Sequence, residues 1–125
     1  YNLHNVKFLG SVDKISDYLQ NARLFVLPTL QEGSGAIAIN EAMQIGLPII
    51  TTYCDGIVED IIDDFSGKLV MKFDIEGLAN AIYELWSNPE KAKTLGENAK
   101  YIYHSKYSLE KMKSELVKVY ARFGF

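Results

Sequence analysis

Short apolar runs alternate with stretches of helical periodicity along this chain, and that alternation constrains the fold more than any other feature. Val6-Lys7-Phe8-Leu9, stopped by Gly10, reads as a strand. Three further runs are of the buried-strand type: Arg23-Leu24-Phe25-Val26-Leu27 before Pro28, Ile49-Ile50-Thr51-Thr52 after Pro48, and Lys68-Leu69-Val70-Met71. Asp13 is placed to cap a helix carrying Ile15, Tyr18 and Leu19 at i, i+3 and i+4. Residues 36–45 read as a small-residue helix ended by Gly46, and residues 57–62 as a short helix opened by Gly56. Buried strands separated by helices build parallel sheets with helices on the faces. The expected fold is α/β, a doubly wound parallel sheet with flanking helices.

Helices take over beyond Met71. Ile75, Leu78, Ala79, Ile82, Leu85 and Trp86 define one face of a helix capped by Asp74. Pro89 suits the first turn of the next, which is expected to run to about Tyr103. Ser108 precedes a last amphipathic helix marked by Leu109, Met112, Leu116, Val119 or Tyr120, and Phe123. With 125 residues, 48% of them apolar and 23% charged, a core is attainable without disulfides or metals. A net charge of -3 argues against a nucleic-acid partner. The lone Cys54 has no internal disulfide partner, and no apolar stretch approaches the roughly 18–20 residues that span a bilayer. The chain opens on Tyr1 and passes straight into strand-like sequence, which reads as part of something longer.

In open parallel sheets, ligands bind beyond the carboxyl ends of the strands. The loop from Pro28 to Gly35 occupies such a place. Gly33 and Gly35 allow backbone to approach a ligand closely, and the free N–H groups of a helix start favour an anion. Ser34, Ala36 and Ala38 leave room for a phosphate. Glu32 precedes that anion site and is better suited to hydroxyl recognition, while Glu41 follows on the same helix. A strand–glycine loop–helix unit has purely structural uses too, and both glutamates read equally as solvated helix-terminal charges.

Seven ordered segments narrow these alternatives: Phe8-Leu9-Gly10-Ser11-Val12, Phe25-Val26-Leu27-Pro28, Glu32-Gly33-Ser34-Gly35, Glu41-Ala42-Met43, Gly46-Leu47-Pro48-Ile49-Ile50, Gly56-Ile57-Val58-Glu59 and Gly67-Lys68-Leu69-Val70. Their order and spacing, over nearly the whole chain, resemble the retaining GT-B glycosyltransferases of family 4. The resemblance implies that residues 1–125 are part of a C-terminal, Rossmann-like domain that binds a nucleotide diphosphate sugar, with the N-terminal acceptor domain absent. It implies transfer of the sugar, with retention, to a polysaccharide or glycoconjugate acceptor, saccharide or lipid-linked, and no metal or other cofactor.

Position by position, the resemblance makes Glu32 the catalytic-site glutamate at the donor sugar hydroxyls. Gly33, Ser34 and Gly35 become the loop at the sugar and diphosphate, and Glu41 the ligand of the ribose hydroxyls. Gly10, Ser11 and Val12 become the turn that holds the base. Family members usually place seven residues between the two glutamates, whereas residues 33–40 make eight here, so Asn40 stands as a second candidate for the ribose. Glu59 lies in a segment that resembles one near the nucleotide. The family's diphosphate-neutralising Arg and Lys lie upstream of the strand matching residues 6–9. Without that clamp the departing diphosphate loses electrostatic stabilisation, so the isolated chain is expected to be inactive.

Other features have plainer readings. Asp55, Glu59, Asp60, Asp63 and Asp64 lack an accompanying His or Cys cluster and read as a solvated face rather than a metal site. His4 and His104 read as surface residues, Cys54 as a small packing residue, and Tyr83, Trp86 and Tyr103 as core or edge packing. Lys100, Lys106, Lys111, Lys113, Lys118 and Arg122 make a basic carboxyl-terminal end. This is a solvated helix face, or a patch for peripheral contact with an anionic membrane. The expected location is cytoplasmic or peripheral at the inner membrane face. Two rival functions remain at this level: a non-catalytic α/β nucleotide-binding module, and a nucleotide-sugar epimerase on the same fold.

Overall fold

A parallel strand buried on both faces needs apolar side chains pointing both ways, and the isoleucine pair at residues 49 and 50 supplies them. The computed structural model of the protein describes residues 3–31 and 36–124. Its sheet has the order β1 (Phe25–Leu27), β2 (Ile49–Thr52), β3 (Lys68–Val70), all parallel. Phe25 pairs with Ile49, Leu27 with Thr51 and Thr52 with Val70. The central strand is buried throughout. Successive strand side chains point to opposite faces. Ile49 accordingly enters a core with Ile39, Met43, Ile57, Ile61, Ala99 and Ile102, and Ile50 enters the other, with Val70, Ala81, Leu85 and Leu95. Each fully buried aliphatic side chain contributes about 1.5–3 kcal/mol of transfer free energy.

The helices cover these faces. They are α1 (Ile15–Gln20), α2 (Ile37–Ile45) between β1 and β2, and α3 (Ile57–Asp60) between β2 and β3. Then follow α4 (Ile75–Ser87), α5 (Pro89–Lys106) and α6 (Leu109–Arg122). The parallel α/β sheet with flanking helices is the architecture the sequence implies. Helix α2 stops at Gly46, whose φ of 86° is the left-handed conformation favoured by glycine. Helix α5 crosses that stop through Gly96, where a Cβ would run into the Gly46 carbonyl oxygen. Three side chains cap helix starts: Asp74 accepts from the Gly77 amide at 2.8 Å, Asn88 from Lys91 at 3.1 Å and Ser108 from Lys111 at 3.2 Å.

Several expectations need correction. Residues 6–9 form no strand, and Phe8 stands 94% exposed. A strand exists through its ladder, and no described strand pairs with this run. Asp13 caps nothing, because α1 begins one residue later, with Lys14 at the N-cap and no side-chain cap. Helix α3 is a single turn, since Ile61 is already extended and the Ile62 amide donates to Ser66 Oγ at 2.9 Å. The buried stripe of α4 is Ala81 and Leu85 flanked by Leu78 and Ile82, so Ile75, Ala79 and Trp86 lie outside it. Tyr83 and Trp86 are exposed, and the Arg23 guanidinium lies 3.7 Å from the indole centroid. Helix α5 continues past Tyr103 to Lys106. The acidic segment is not uniformly solvated: Asp60 is buried and accepts from the Tyr107 hydroxyl at 2.6 Å.

Candidate functional site

The carboxyl ends of β1 and β2 lie side by side because Leu27 pairs with Thr51. Buried strand positions normally favour Val or Ile, yet β2 ends in two threonines whose hydroxyls need partners. They find them on the chain leaving β1. Thr51 Oγ1 donates to the Leu27 carbonyl at 2.9 Å, and that oxygen also accepts the Thr29 amide at 2.9 Å. The Thr52 hydroxyl donates to the Thr29 carbonyl, which also accepts from Cys54 Sγ at 3.3 Å. Thr29 Oγ1 in turn donates to the Gln31 carbonyl at 3.0 Å. The segment entering the candidate loop is therefore held link by link. Glu32, Gly33, Ser34 and Gly35 lie outside the described residues.

On the far side of that loop, α2 starts with the buried Ala36 at its N-cap and no side-chain cap. The N–H groups of a first turn left uncapped can receive an anion. Glu41 and Asn40 sit on the second turn, both half-buried. Helical geometry separates neighbouring residues by about 100°. Glu41 shares a stripe with the exposed Ile37 and Gln44, whereas Asn40 shares one with the buried Ala36 and Met43. The Asn40 Oδ1 is buried and has no hydrogen-bond partner.

The remaining sequence candidates fall on neighbouring segments. Gly10 has a φ of 67° and, with the exposed Ser11 and half-buried Val12, forms the approach to α1, which contacts α2. Ser11 and Val12 line a shallow depression with Asp13, Lys14 and Tyr18. Glu59 is exposed on α3, just past the carboxyl end of β2. Beside Thr52, an apolar hollow of about 270 Å³ is lined by Pro28, Leu30, Val70, Met71, Phe73 and Leu78. Sequence reasoning missed both this hollow and the Thr51–Thr52–Cys54 clamp. For the clamp, the signal was hydroxyl residues ending a buried strand.

A network of four charged side chains lies elsewhere. At the amino end of β3, Lys68 contacts Asp64 at 3.0 Å and Glu84 at 3.3 Å, and Lys91 contacts Asp64 at 2.8 Å. Hydrogen bonds from Lys91 and Lys68 hold the Asp64 and Glu84 carboxyls below their ordinary range. This network joins β3, α4 and α5 at the end of the sheet opposite the candidate site. Among the described residues no cluster of three or more His, Cys, Asp or Glu is arranged to hold a metal.

Comparison with known proteins agrees with this architecture. Residues 1–101 match the family described as glycosyl transferases group 1, and the chain belongs to that family. It is 36% identical over 121 residues to a glycosyltransferase of Methanocaldococcus jannaschii, covering 95% of this chain and 34% of that one. It is 29% identical over 119 residues to the capsular polysaccharide biosynthesis glycosyltransferase CapM of Staphylococcus aureus, covering 95% and 31%. The fold superimposes on Anabaena HepE, solved with UDP-glucose, with a TM-score of 0.85 at 23% identity, covering 95% and 33%. The chain thus spans about a third of the length of the curated relatives it matches, and its α/β fold is that of the GT-B glycosyltransferases.

Proposed function

We propose that this chain is the donor-binding part of the C-terminal domain of a retaining, family 4 glycosyltransferase. The observation that carries the reading is the start of α2, where Ala36 offers no side-chain cap, in the unit that follows the carboxyl end of β1, whose exit through Thr29 is fixed by β2. That is where an open parallel sheet receives a phosphorylated ligand. In this reading Gly33, Ser34 and Gly35 approach the diphosphate and sugar, and Glu32 accepts from the sugar hydroxyls at the reacting centre. Glu41 accepts from the ribose hydroxyls, with Asn40 as the second candidate. Gly10, Ser11 and Val12 border the base, and Glu59 lies at the margin of the nucleotide. The complex of HepE with UDP-glucose supports a nucleotide diphosphate sugar as the donor, and the similarity to CapM supports a polysaccharide or glycoconjugate acceptor.

Chemically, the donor's glycosidic bond to the diphosphate breaks as the N–H groups at the helix start take up charge on the leaving phosphate. The acceptor hydroxyl attacks from the same face and passes its proton to the departing phosphate oxygen, so no base from this segment and no metal or other cofactor is invoked. The acceptor enters through a domain outside this chain, and the isolated chain is inactive. Among the described residues no helix is long and apolar enough to cross a membrane. The location proposed is the cytoplasm or the inner membrane face, where the exposed apolar face of α6, beside Lys111, Lys113, Lys118 and Arg122, suits peripheral contact with lipid-linked acceptors. Calorimetric titration of the full-length protein with UDP, GDP and ADP tests the reading. Saturable binding of at least one is expected, and absence of binding to all three overturns it.

A further inference from the structure

We infer that Thr52, assisted by Cys54, is a positioning residue for the donor site, setting the backbone from which the Glu32 loop departs. The inference rests on the donor-binding reading above and assigns part of its precision to residues that touch no ligand themselves.

Thr52 is only 4% exposed and lies at the carboxyl end of the central strand. Valine would fill the same space without a polar atom, and a buried hydroxyl costs free energy unless it is bonded. The Thr52 hydroxyl is spent on one acceptor, the Thr29 carbonyl, and Cys54 brings a second donor to the same oxygen. Residues two apart on an extended chain present side chains to the same side, and here Oγ1 and Sγ lie 3.6 Å apart. Both lone pairs of one carbonyl are thus directed by side chains at, and two residues past, the carboxyl end of β2. One residue earlier, the Thr51 hydroxyl donates to the Leu27 carbonyl, which also accepts the Thr29 amide. Thr29 then passes the constraint to Gln31 through its own hydroxyl, and Glu32 follows directly.

A stretch leaving a strand has no ladder to fix it, so its position depends on such bonds. Binding constellations tolerate only about 0.5 Å of error, and a 1 Å misplacement costs about 100-fold in rate. The clamp therefore bears on the sugar end of the donor, where Glu32 acts, and much less on the nucleotide end, where Glu41 acts from α2.

The test uses the full-length protein with Thr52→Val, Thr52→Ser and Cys54→Ala. It reads the Kd for the nucleoside diphosphate, kcat with the sugar donor, thermal stability, and hydrogen–deuterium exchange at residues 29–31. Thr52→Val is expected to lower kcat about 10- to 100-fold while the nucleotide Kd stays within about two-fold. Exchange at residues 29–31 rises while the β1–β2 ladder amides keep their protection. Thr52→Ser restores kcat to within about three-fold, and Cys54→Ala gives a smaller loss than Thr52→Val. Wild-type kcat and exchange in Thr52→Val overturn the inference, as does a loss of protection spread evenly over the sheet. A wild-type protein that binds no nucleoside diphosphate overturns the donor reading, and the donor role of Thr52 with it. The exchange pattern still decides separately whether Thr52 fixes residues 29–31.

Discussion

The hydroxyl of Tyr107, at the C-cap of α5, donates to Oδ1 of Asp60, the last residue of α3, at 2.6 Å. They lie 47 positions apart in the chain, and Asp60 is 1% exposed. A carboxylate at the end of a one-turn helix is thus taken out of water and held by a phenol from the other end of the domain. The bond ties α3, which follows the candidate site, to the long helix that supports both cores.

Replacing Tyr107 with Phe removes one donor from that buried carboxylate. A hydrogen bond to a charged group contributes about 1.5–3 kcal/mol, so chemical denaturation at pH 7 is expected to show a loss of that size. Burial, and then the bond to Asp60, push the Tyr107 hydroxyl up to about 12 from 10.0. Because the folded value lies above the unfolded one, the stabilisation is complete below pH 10 and is lost as pH rises towards 12. The stability of Tyr107→Phe should therefore fall less steeply than that of the wild type between pH 10 and 12. Parallel curves over that interval would count against the assignment.

The four-charge network behaves in the opposite sense. Asp64 and Glu84 are held below their ordinary values of 3.8 and 4.5 by Lys91 and Lys68. A depressed folded value gives stability that is present above the unfolded value and lost as pH falls through the folded one. These carboxylates are partly exposed, so Glu84→Gln is expected to cost only about 0.5–1 kcal/mol at pH 7 and low salt. The difference from wild type should shrink on acidification below pH 4.5 and on addition of about 1 M salt. A penalty that survives both would mean Glu84 acts through packing.

Gly96→Ala sets two effects against each other. In an exposed helix, alanine gains roughly 1 kcal/mol over glycine. Here its Cβ would run into the Gly46 carbonyl oxygen, which is backbone at a helix stop and cannot move aside alone. Overpacking of this kind costs about 1–3 kcal/mol, so net destabilisation is expected in a thermal melt. A raised Tm would show that α5 can shift away from α2.

The parallel sheet was legible because strands buried on both faces are written as continuous apolar runs, and Ile49 and Ile50 serve one core each. Caps at Asp74 and Ser108 were legible too, since their chemistry is local. The run at residues 6–9 was not, because strand formation depends on a neighbour rather than on the run itself. Ala79 and Ala81 are alike in sequence, and only the direction from which β3 and α5 approach decides that Ala81 is buried. The candidate site was read mainly through its loop and glutamates. The threonines that hold the loop's entry went unseen, since their role exists only once β2 lies beside β1.

The two candidate ribose ligands can be separated because they lie on different sides of α2. Glu41 belongs to the stripe of Ile37 and Gln44, open to a ligand, while Asn40 belongs to the stripe of Ala36 and Met43. A carboxylate accepting ribose hydroxyls makes charge-assisted bonds worth about 1.5–3 kcal/mol. Glu41→Ala is therefore expected to weaken nucleoside diphosphate binding to the full-length protein about ten-fold or more, and to abolish its preference over the 2′-deoxy nucleotide. Asn40→Ala removes a buried oxygen that has no partner, and should leave both the affinity and that preference within about two-fold, because no paired group is orphaned. Calorimetry with the ribo and deoxy ligands reads both variants. If Asn40→Ala loses the preference and Glu41→Ala keeps it, the extra residue between Glu32 and Glu41 has rotated the ribose ligand by one position along the helix.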